Sequence, residues 1–258
     1  MAARPLAVVT GASGGIGLAL ATELASRGYD LVLVARNQEG LDRAAADLNR
    51  SGAQVATIAL DLSVPGAAKA LVDQLGELDV DVLVNNAGFA TYGPFAETDW
   101  DAESRMIEVN VIVLTELTKR LLPRMIARGR GRVLNVASTA AFMPGPLMAV
   151  YYASKAYVLS LGEALHEEVK GTGVTVTTLC PGPTKTGFQN RAGMQESKLV
   201  QSGLMDVTVV ARIGVEGALA GKPVVIPGLK NKVQAVTPKL VPRKLIPGIV
   251  KNAQKKAH

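Results

Sequence analysis

The sequence predicts a single α/β domain, doubly wound around a seven-stranded parallel sheet with helices on both faces. Three observations predict it. Apolar, β-branched runs alternate with amphipathic stretches along the chain. Those runs are continuously apolar, as strands buried on both faces must be, where a half-exposed antiparallel strand would alternate. At 258 residues, 48% of them apolar, the chain is also long enough to enclose the core such a sheet needs.

The strands read, in order, as LAVVTG (6–11), DLVLVAR (30–36), QVATIAL (54–60), DVLVNNAG (81–88), GRVLNVAS (131–138), GVTVTTLCPG (173–182) and KPVVIPG (222–228). Amphipathic stretches at 15–27, 39–50 and 64–75 supply the first three helices, and Ser63 is placed to cap the third. After Pro181 the periodicity weakens, which predicts a loop–helix excursion before the last strand. No repeat or linker divides the chain. The expected organisation is a catalytic domain over 1–228, with a lid at about 183–205, and a basic extension over 229–258.

Composition narrows the function classes. The opening MAARPLAVVTG has no apolar segment of leader length, and no run reaches the length of a membrane span. One cysteine, Cys180, permits no internal disulfide, so a cytoplasmic, reducing compartment is expected and Cys180 reads as a small buried apolar residue. With His166 and His258 as the only histidines, no metal site is expected, and His166 reads as structural. The net charge of +6 is uneven. From Gly228 onward there are eight Lys/Arg and no acid, leaving 20 basic against 22 acidic residues in the body. Nucleic-acid binding is not expected, because the tail interleaves no aromatics with its lysines. Its short apolar runs beside lysines fit either a peripheral membrane contact or an arm packed on the protein.

The first strand ends in TGASGGIG (10–17) and leads into a helix. Glycines there let the backbone turn and approach a pyrophosphate at a helix N-terminus, the Rossmann-type arrangement. The second strand ends in Arg36, with no acid before Glu39, which favours the 2′-phosphate of NADP over the free ribose hydroxyl of NAD. Ser13 can add a hydroxyl to that phosphate. Asp61 ends the third strand, where it can touch adenine, and NNAG (85–88) ends the fourth with small residues over which a cofactor can lie.

VYYASKAYV (150–158) sets Tyr152 three and Tyr151 four residues before Lys155. Both spacings share a helix face, so spacing alone does not choose between the tyrosines. TGASGGIG, NNAG, YYASK and PGPTKT, in this order and spacing, resemble the short-chain dehydrogenase/reductase (SDR) family over nearly the whole chain through Gly228. The family's Tyr-x-x-x-Lys pattern selects Tyr151 and leaves Tyr152 as a wall or packing residue. The resemblance implies Asn110, Ser138, Tyr151 and Lys155 as catalytic. Tyr151 would protonate a carbonyl oxygen held by Ser138; Lys155 would hold the nicotinamide ribose and lower the Tyr151 pKa; Asn110 would position a relay water. It further implies cofactor contacts from Gly11, Ser13, Gly15, Ile16, Gly17, Arg36, Asp61, Leu62, Asn86, Ala87, Gly88, Pro181, Gly182, Thr184 and Thr186, besides Tyr151 and Lys155 themselves.

The expected activity is reversible hydride transfer between NADP(H) and a ketone or secondary alcohol, in a homo-oligomer, dimer or tetramer. Phe142, Met143, Leu147 and Met148, with Phe188, Met194, Leu199, Leu204 and Met205, predict an apolar pocket and hence a lipophilic carbonyl substrate. Two other readings are a non-catalytic NADP(H)-binding regulator and a membrane-recruited scaffold. The complete Ser138–Tyr151–Lys155 set speaks against the first, since a binder needs no proton donor.

Overall fold

The computed structural model describes residues 4–188 and 203–254. Seven parallel strands form one sheet in the order β3-β2-β1-β4-β5-β6-β7. They are β1 (Leu6–Thr10), β2 (Asp30–Ala35), β3 (Val55–Ala59), β4 (Val80–Asn85), β5 (Gly131–Val136), β6 (Val174–Leu179) and β7 (Val224–Val225). The predicted strand count and parallel, doubly wound sheet are those observed. Strand order reverses between β1 and β4, and the crevice at such a switch point opens at the carboxyl ends of the strands.

Alternation along each strand explains the continuous apolar runs. Ala7 and Val9 enter a core shared with α1 (Gly15–Ser26), α2 (Gln38–Arg50) and α7 (Val207–Leu219), through Leu20, Leu24, Leu41 and Val215. Val8, between them, enters the opposite core with α3 (Ala67–Leu75) and α5 (Leu114–Ala127), through Leu71, Leu117 and Leu121. Each fully buried leucine contributes roughly 1.5–3 kcal/mol, and a polar group buried there without a partner carries a cost. Asn85 enters with its Nδ2 donating to Thr118 Oγ1 and Asn135 Oδ1, both at 2.9 Å, whereas the buried hydroxyls of Thr177 and Thr178 on β6 have no partner among the described residues.

Three expectations are corrected in detail. Helix α3 begins at Ala67 behind Gly66, which lies in the left-handed region with φ 82°, so Ser63 is not its cap. Ser63 instead gives both its N–H and its hydroxyl to Asp61 Oδ1. Strand β7 spans two residues rather than a longer run, because Pro223 and Pro227 flank it and lack the N–H a ladder needs. Asn110 does not lie in a regular helix: a π-helical segment, Glu108–Val113, separates α4 (Trp100–Ile107) from α5. Such widened turns bring a chosen side chain inward, and Asn110 is fully buried.

Helix α6 (Ala149–Glu168) carries the tyrosine pair and lies on β6. His166 near its end is a satisfied structural histidine, its Nδ1 2.8 Å from the Val176 carbonyl. Close approach of the helix depends on Gly162, where an added Cβ would lie 1.9 Å from Thr178 Oγ1. Gly162→Ala is therefore expected to lower the thermal midpoint by about 3–10 °C, read by calorimetry, because the buried Thr178 side chain must turn or the helix must move off β6. An unchanged midpoint would show that the helix is not held at that distance.

The C-terminal residues form α8 (Leu229–Leu240) and α9 (Ile246–Gln254), both resting on the domain. Asn231 Nδ2 donates to the Pro227 carbonyl, and Ile246 and Val250 are buried in one cluster with Tyr151, Tyr152 and Met148. Through one of its sides, therefore, the tail is an arm packed on the domain.

Candidate functional site

A cleft of about 570 Å³ opens along the carboxyl edge of the sheet. At one end lies the glycine turn between β1 and α1. Gly11 and Gly15 have φ of 66° and 59°, and a Cβ on Gly17 would lie 2.3 Å from the Gly11 carbonyl oxygen. Only glycine fits there. Gly14 caps α1 without a side chain and the first turn holds no acid, so the helix presents its amides and positive end to the cleft without a protein anion to neutralise them. Thr10 and Asn86 brace the turn. Thr10 Oγ1 accepts from the N–H groups of Asn86 and Ala87, while Asn86 Nδ2 donates to the Thr10 carbonyl at 2.8 Å. The Asn86 side chain thus ties β4 to β1.

Beyond the turn, Ser13, Arg36, Asp61 and Leu62 line the same end, joined by Asn37 and Arg43, which sequence reasoning passed over. Asn37 caps α2, its Oδ1 accepting from Gly40 N, and Arg43 lies one helical turn on. The signal was a capping asparagine followed six residues later by an arginine, which is common on any helix. Arg36 Nη1 lies 4.0 Å from Asp61 Oδ2, and its side chain is 70% exposed. Partial burial pushes the Asp61 carboxyl up, but hydrogen bonds from Ser63, with Arg36 nearby, outweigh this and hold it below the usual carboxylate range. Ile16, Ala87, Gly88, Pro181, Gly182, Thr184 and Thr186 also line the cleft. The cradle fits a dinucleotide: small residues and free helix amides at its centre, two arginines at one end.

The other end holds the remaining predicted residues. Ser138, just past β5, lines the cleft, and its Oγ accepts from Ala140 N, closing the short turn Thr139–Phe142. Lys155 is 5% exposed; its Nζ donates to the Val136 carbonyl at 2.9 Å and lies 5.8 Å from the Tyr151 ring centre. Burial pulls its pKa down to about 8, opposed by the nearby Cys180. Tyr151 is pushed up to about 12 by burial, with a hydrogen bond to Ser138 pulling the other way. The expected lowering of the Tyr151 pKa by the lysine is thus not found, because desolvation of the phenol is the larger effect. Asn110 sits across Gly88 from Lys155. Its Oδ1 accepts from Phe89 N, and its Nδ2 donates to the Phe89 carbonyl and Ser154 Oγ. That amide holds the loop after β4 and does not line the cleft.

Tyr152 lines the wall beside Tyr151, their rings edge to face at 6.1 Å. Its hydroxyl accepts from Gln254 Nε2 at 2.6 Å, and Tyr92 donates to the Gln254 carbonyl. Burial and the neighbouring Tyr151 both raise the Tyr152 pKa further. Met143, Met148 and Phe188 line the apolar end, Phe188 tilted against Tyr151 at 5.7 Å. Four other expected wall residues are not there. Phe142 packs with Leu159 and Cys180, Leu147 does not reach the cleft, Leu204 is exposed, and Met205 packs under Asn231. Met194 and Leu199, with most of the expected lid, lie outside the described residues. Cys180 is fully buried and its thiol is pushed up to about 12 by burial, so it stays protonated.

Comparison with known proteins agrees with this geometry. Residues 5–197 match the family model described as short chain dehydrogenase. The mouse very-long-chain 3-oxoacyl-CoA reductase is 32% identical over 253 residues, covering 95% of this chain and 80% of that protein. Among solved structures, a short-chain dehydrogenase from Sphingobium yanoikuyae in complex with NADPH is 33% identical, with a TM-score of 0.83 over 97% of this chain and 98% of that one. A bulky-bulky ketone specific alcohol dehydrogenase from Comamonas testosteroni is 28% identical, with a TM-score of 0.78 over 92% and 93% of the two chains. With its fold, glycine turn and tyrosine–lysine helix in these places, the chain belongs to the short-chain dehydrogenase/reductase family of oxidoreductases.

Proposed function

We propose that the protein is an NADP(H)-dependent reductase of lipophilic ketones, and that Ser138, Tyr151 and Lys155 carry its chemistry. One observation carries the reading: a single cleft joins an arginine-bearing dinucleotide cradle to a hydroxyl and to a buried phenol and amine at its apolar end. When bound, the reduced nicotinamide supplies a hydride to the carbonyl carbon. The chain's own part is the proton. Tyr151, held as a neutral phenol, donates its hydroxyl proton to the carbonyl oxygen as the C=O bond becomes C–O–H. Ser138 holds that oxygen and stabilises its developing charge. Lys155, near neutrality in its pKa, is suited to return the proton. Asn110 serves as a positioning residue, fixing the loop at Phe89 and, through Ser154, helix α6.

Lipophilic substrates are supported by the lining. Met143, Met148, Phe188 and Tyr152 form the wall, while the arginines that line the cleft, Arg36 and Arg43, lie at its far end. Among the described residues, a substrate carboxylate beside Tyr151 would therefore find no guanidinium. The relatives named above for oxoacyl-CoA and bulky ketone substrates lend the same direction. A panel of hydrophobic and small polar ketones tests this, and faster turnover of the polar set would overturn it.

NADP preference rests on Arg36, supported by Ser13 and Arg43 and by the NADPH complex of the Sphingobium relative. Arg36→Asp is expected to reduce kcat/KM for NADPH by roughly 10–100-fold, about 1.4–2.7 kcal/mol, with NADH affected far less. An unchanged NADPH/NADH ratio would refute the assignment. A homo-oligomer is supported by Ile112 and Tyr157, exposed on the outer faces of the π-helical segment and α6. Light scattering reads the mass.

A further inference from the structure

We propose that the C-terminal arm, α8 with α9, docks the protein on an anionic lipid bilayer. Helix α8 turns opposite faces to different surroundings. Asn231 and Ala235 are buried on the domain, and Gln234 borders the cleft. The outward face carries Leu229, Val233, Val236 and Leu240, exposed by 78, 59, 52 and 80%. At about 100° per residue these four fall within roughly 60° of one another, a continuous stripe pointing away from the body. Leu245 and Ile249 continue the exposed apolar set toward and into α9. Single exposed apolar side chains are ordinary, but an aligned row is a contact surface.

Charge identifies what the surface meets. Lys230 and Lys232 fall on either side of the stripe, Arg243, Lys244 and Lys251 are exposed further along, and no acid occurs from Gly228 onward. In a two-fold contact the arm would meet its own copy, basic against basic. A nucleic acid would satisfy the lysines but leave the stripe in water, and the arm has no aromatic on which bases could stack. An anionic bilayer satisfies both, taking the stripe into its interface and the lysines onto its headgroups. The contact is peripheral, since among the described residues no helix is long and apolar enough to cross a membrane. Because Gln234 of α8 borders the cleft and Gln254 of α9 holds Tyr152, docking sets the substrate end of the cleft beside the lipid. That last consequence rests on the proposed lipophilic substrate; docking itself does not.

The test uses the full chain, without carbonyl substrate, so its result is independent of turnover. Vesicles of phosphatidylcholine alone and of phosphatidylcholine with about one third phosphatidylglycerol are sedimented with the protein. Wild type is expected to pellet with the anionic vesicles, and at least about tenfold more weakly with the neutral ones or in high salt. Val233→Glu with Val236→Glu, and separately Lys232→Glu with Lys244→Glu, should each weaken anionic binding by at least about tenfold while thermal midpoints stay near wild type. Leu78→Glu, an exposed apolar site before β4 at the opposite sheet edge, should change nothing. Absence of pelleting with anionic vesicles overturns the proposal, as does full binding by both arm variants. Light scattering supplies the rival outcome: if the Val233/Val236 variant lowers the particle mass and wild type binds no vesicle, the stripe is a contact between copies.

Discussion

Tyr151→Phe is expected to lower kcat by about a hundred- to ten-thousandfold while leaving NADPH affinity within a few-fold of wild type. The two tyrosines of the doublet separate because their hydroxyls meet different neighbours. That of Tyr151 shares the cleft with Ser138, whereas that of Tyr152 receives a hydrogen bond from Gln254 across the C-terminal helix. Removing the Tyr151 hydroxyl deletes the proton donor placed beside Ser138, yet keeps the ring that packs against Phe188 and Tyr152. Tyr152→Phe instead leaves Gln254 Nε2 without its acceptor. Gln254 is 1% exposed and its Oε1 already has no partner among the described residues, so the cost, about 1–3 kcal/mol, falls on stability and on the pocket wall. Steady-state rates, cofactor titration and thermal unfolding on the two variants in parallel make the comparison. A Tyr152→Phe loss of kcat equal to that of Tyr151→Phe would exchange their roles.

The contrast marks where sequence reading succeeds and where it stops. Strands were legible because burial on both faces leaves a continuous apolar run, and the glycine turn because Gly17 admits no Cβ. The proposed catalytic set rests on its motifs and their order, and the structure brings Ser138, Tyr151 and Lys155 to one cleft. What escaped depends on contacts that no local pattern encodes. Gln254 reaches Tyr152 across 102 residues and has no periodicity to announce it. The apolar wall was drawn too wide, since Phe142 and Met205 have the composition of pocket residues but the packing of core. The direction of the Tyr151 shift was misjudged for a related reason. Helical spacing places a lysine near the phenol, but says nothing of how completely both are withdrawn from water.

That withdrawal yields the second large effect: Lys155→Met is expected to lower kcat by at least about a hundredfold and yet stabilise the cofactor-free protein. Among the described residues, Lys155 donates one hydrogen bond, to the Val136 carbonyl, and forms no salt bridge. With its pKa brought down to about 8 from 10.5, keeping it charged at neutral pH costs on the order of 3 kcal/mol. Methionine has similar length, fills the same channel and forfeits a hydrogen bond worth about 1 kcal/mol, leaving a net gain of roughly 2 kcal/mol, or about 4–8 °C in thermal midpoint. The pH dependence fixes the cause. Between about 8 and 10.5 the unfolded lysine holds its proton and the folded one does not, so this group makes wild type more stable as pH rises through that window. Tyr151, whose folded pKa is raised to about 12, acts the opposite way only above its unfolded value of 10. Denaturant unfolding at pH 7.5, 8.5 and 9.5, without cofactor, should therefore show the advantage of Lys155→Met shrinking as pH rises. A gain that stays constant with pH would trace the stabilisation to packing, and a loss at neutral pH would mean that the lysine is held by contacts stronger than the Val136 bond. A group that weakens the empty fold in order to serve the reaction is placed there by function rather than by folding.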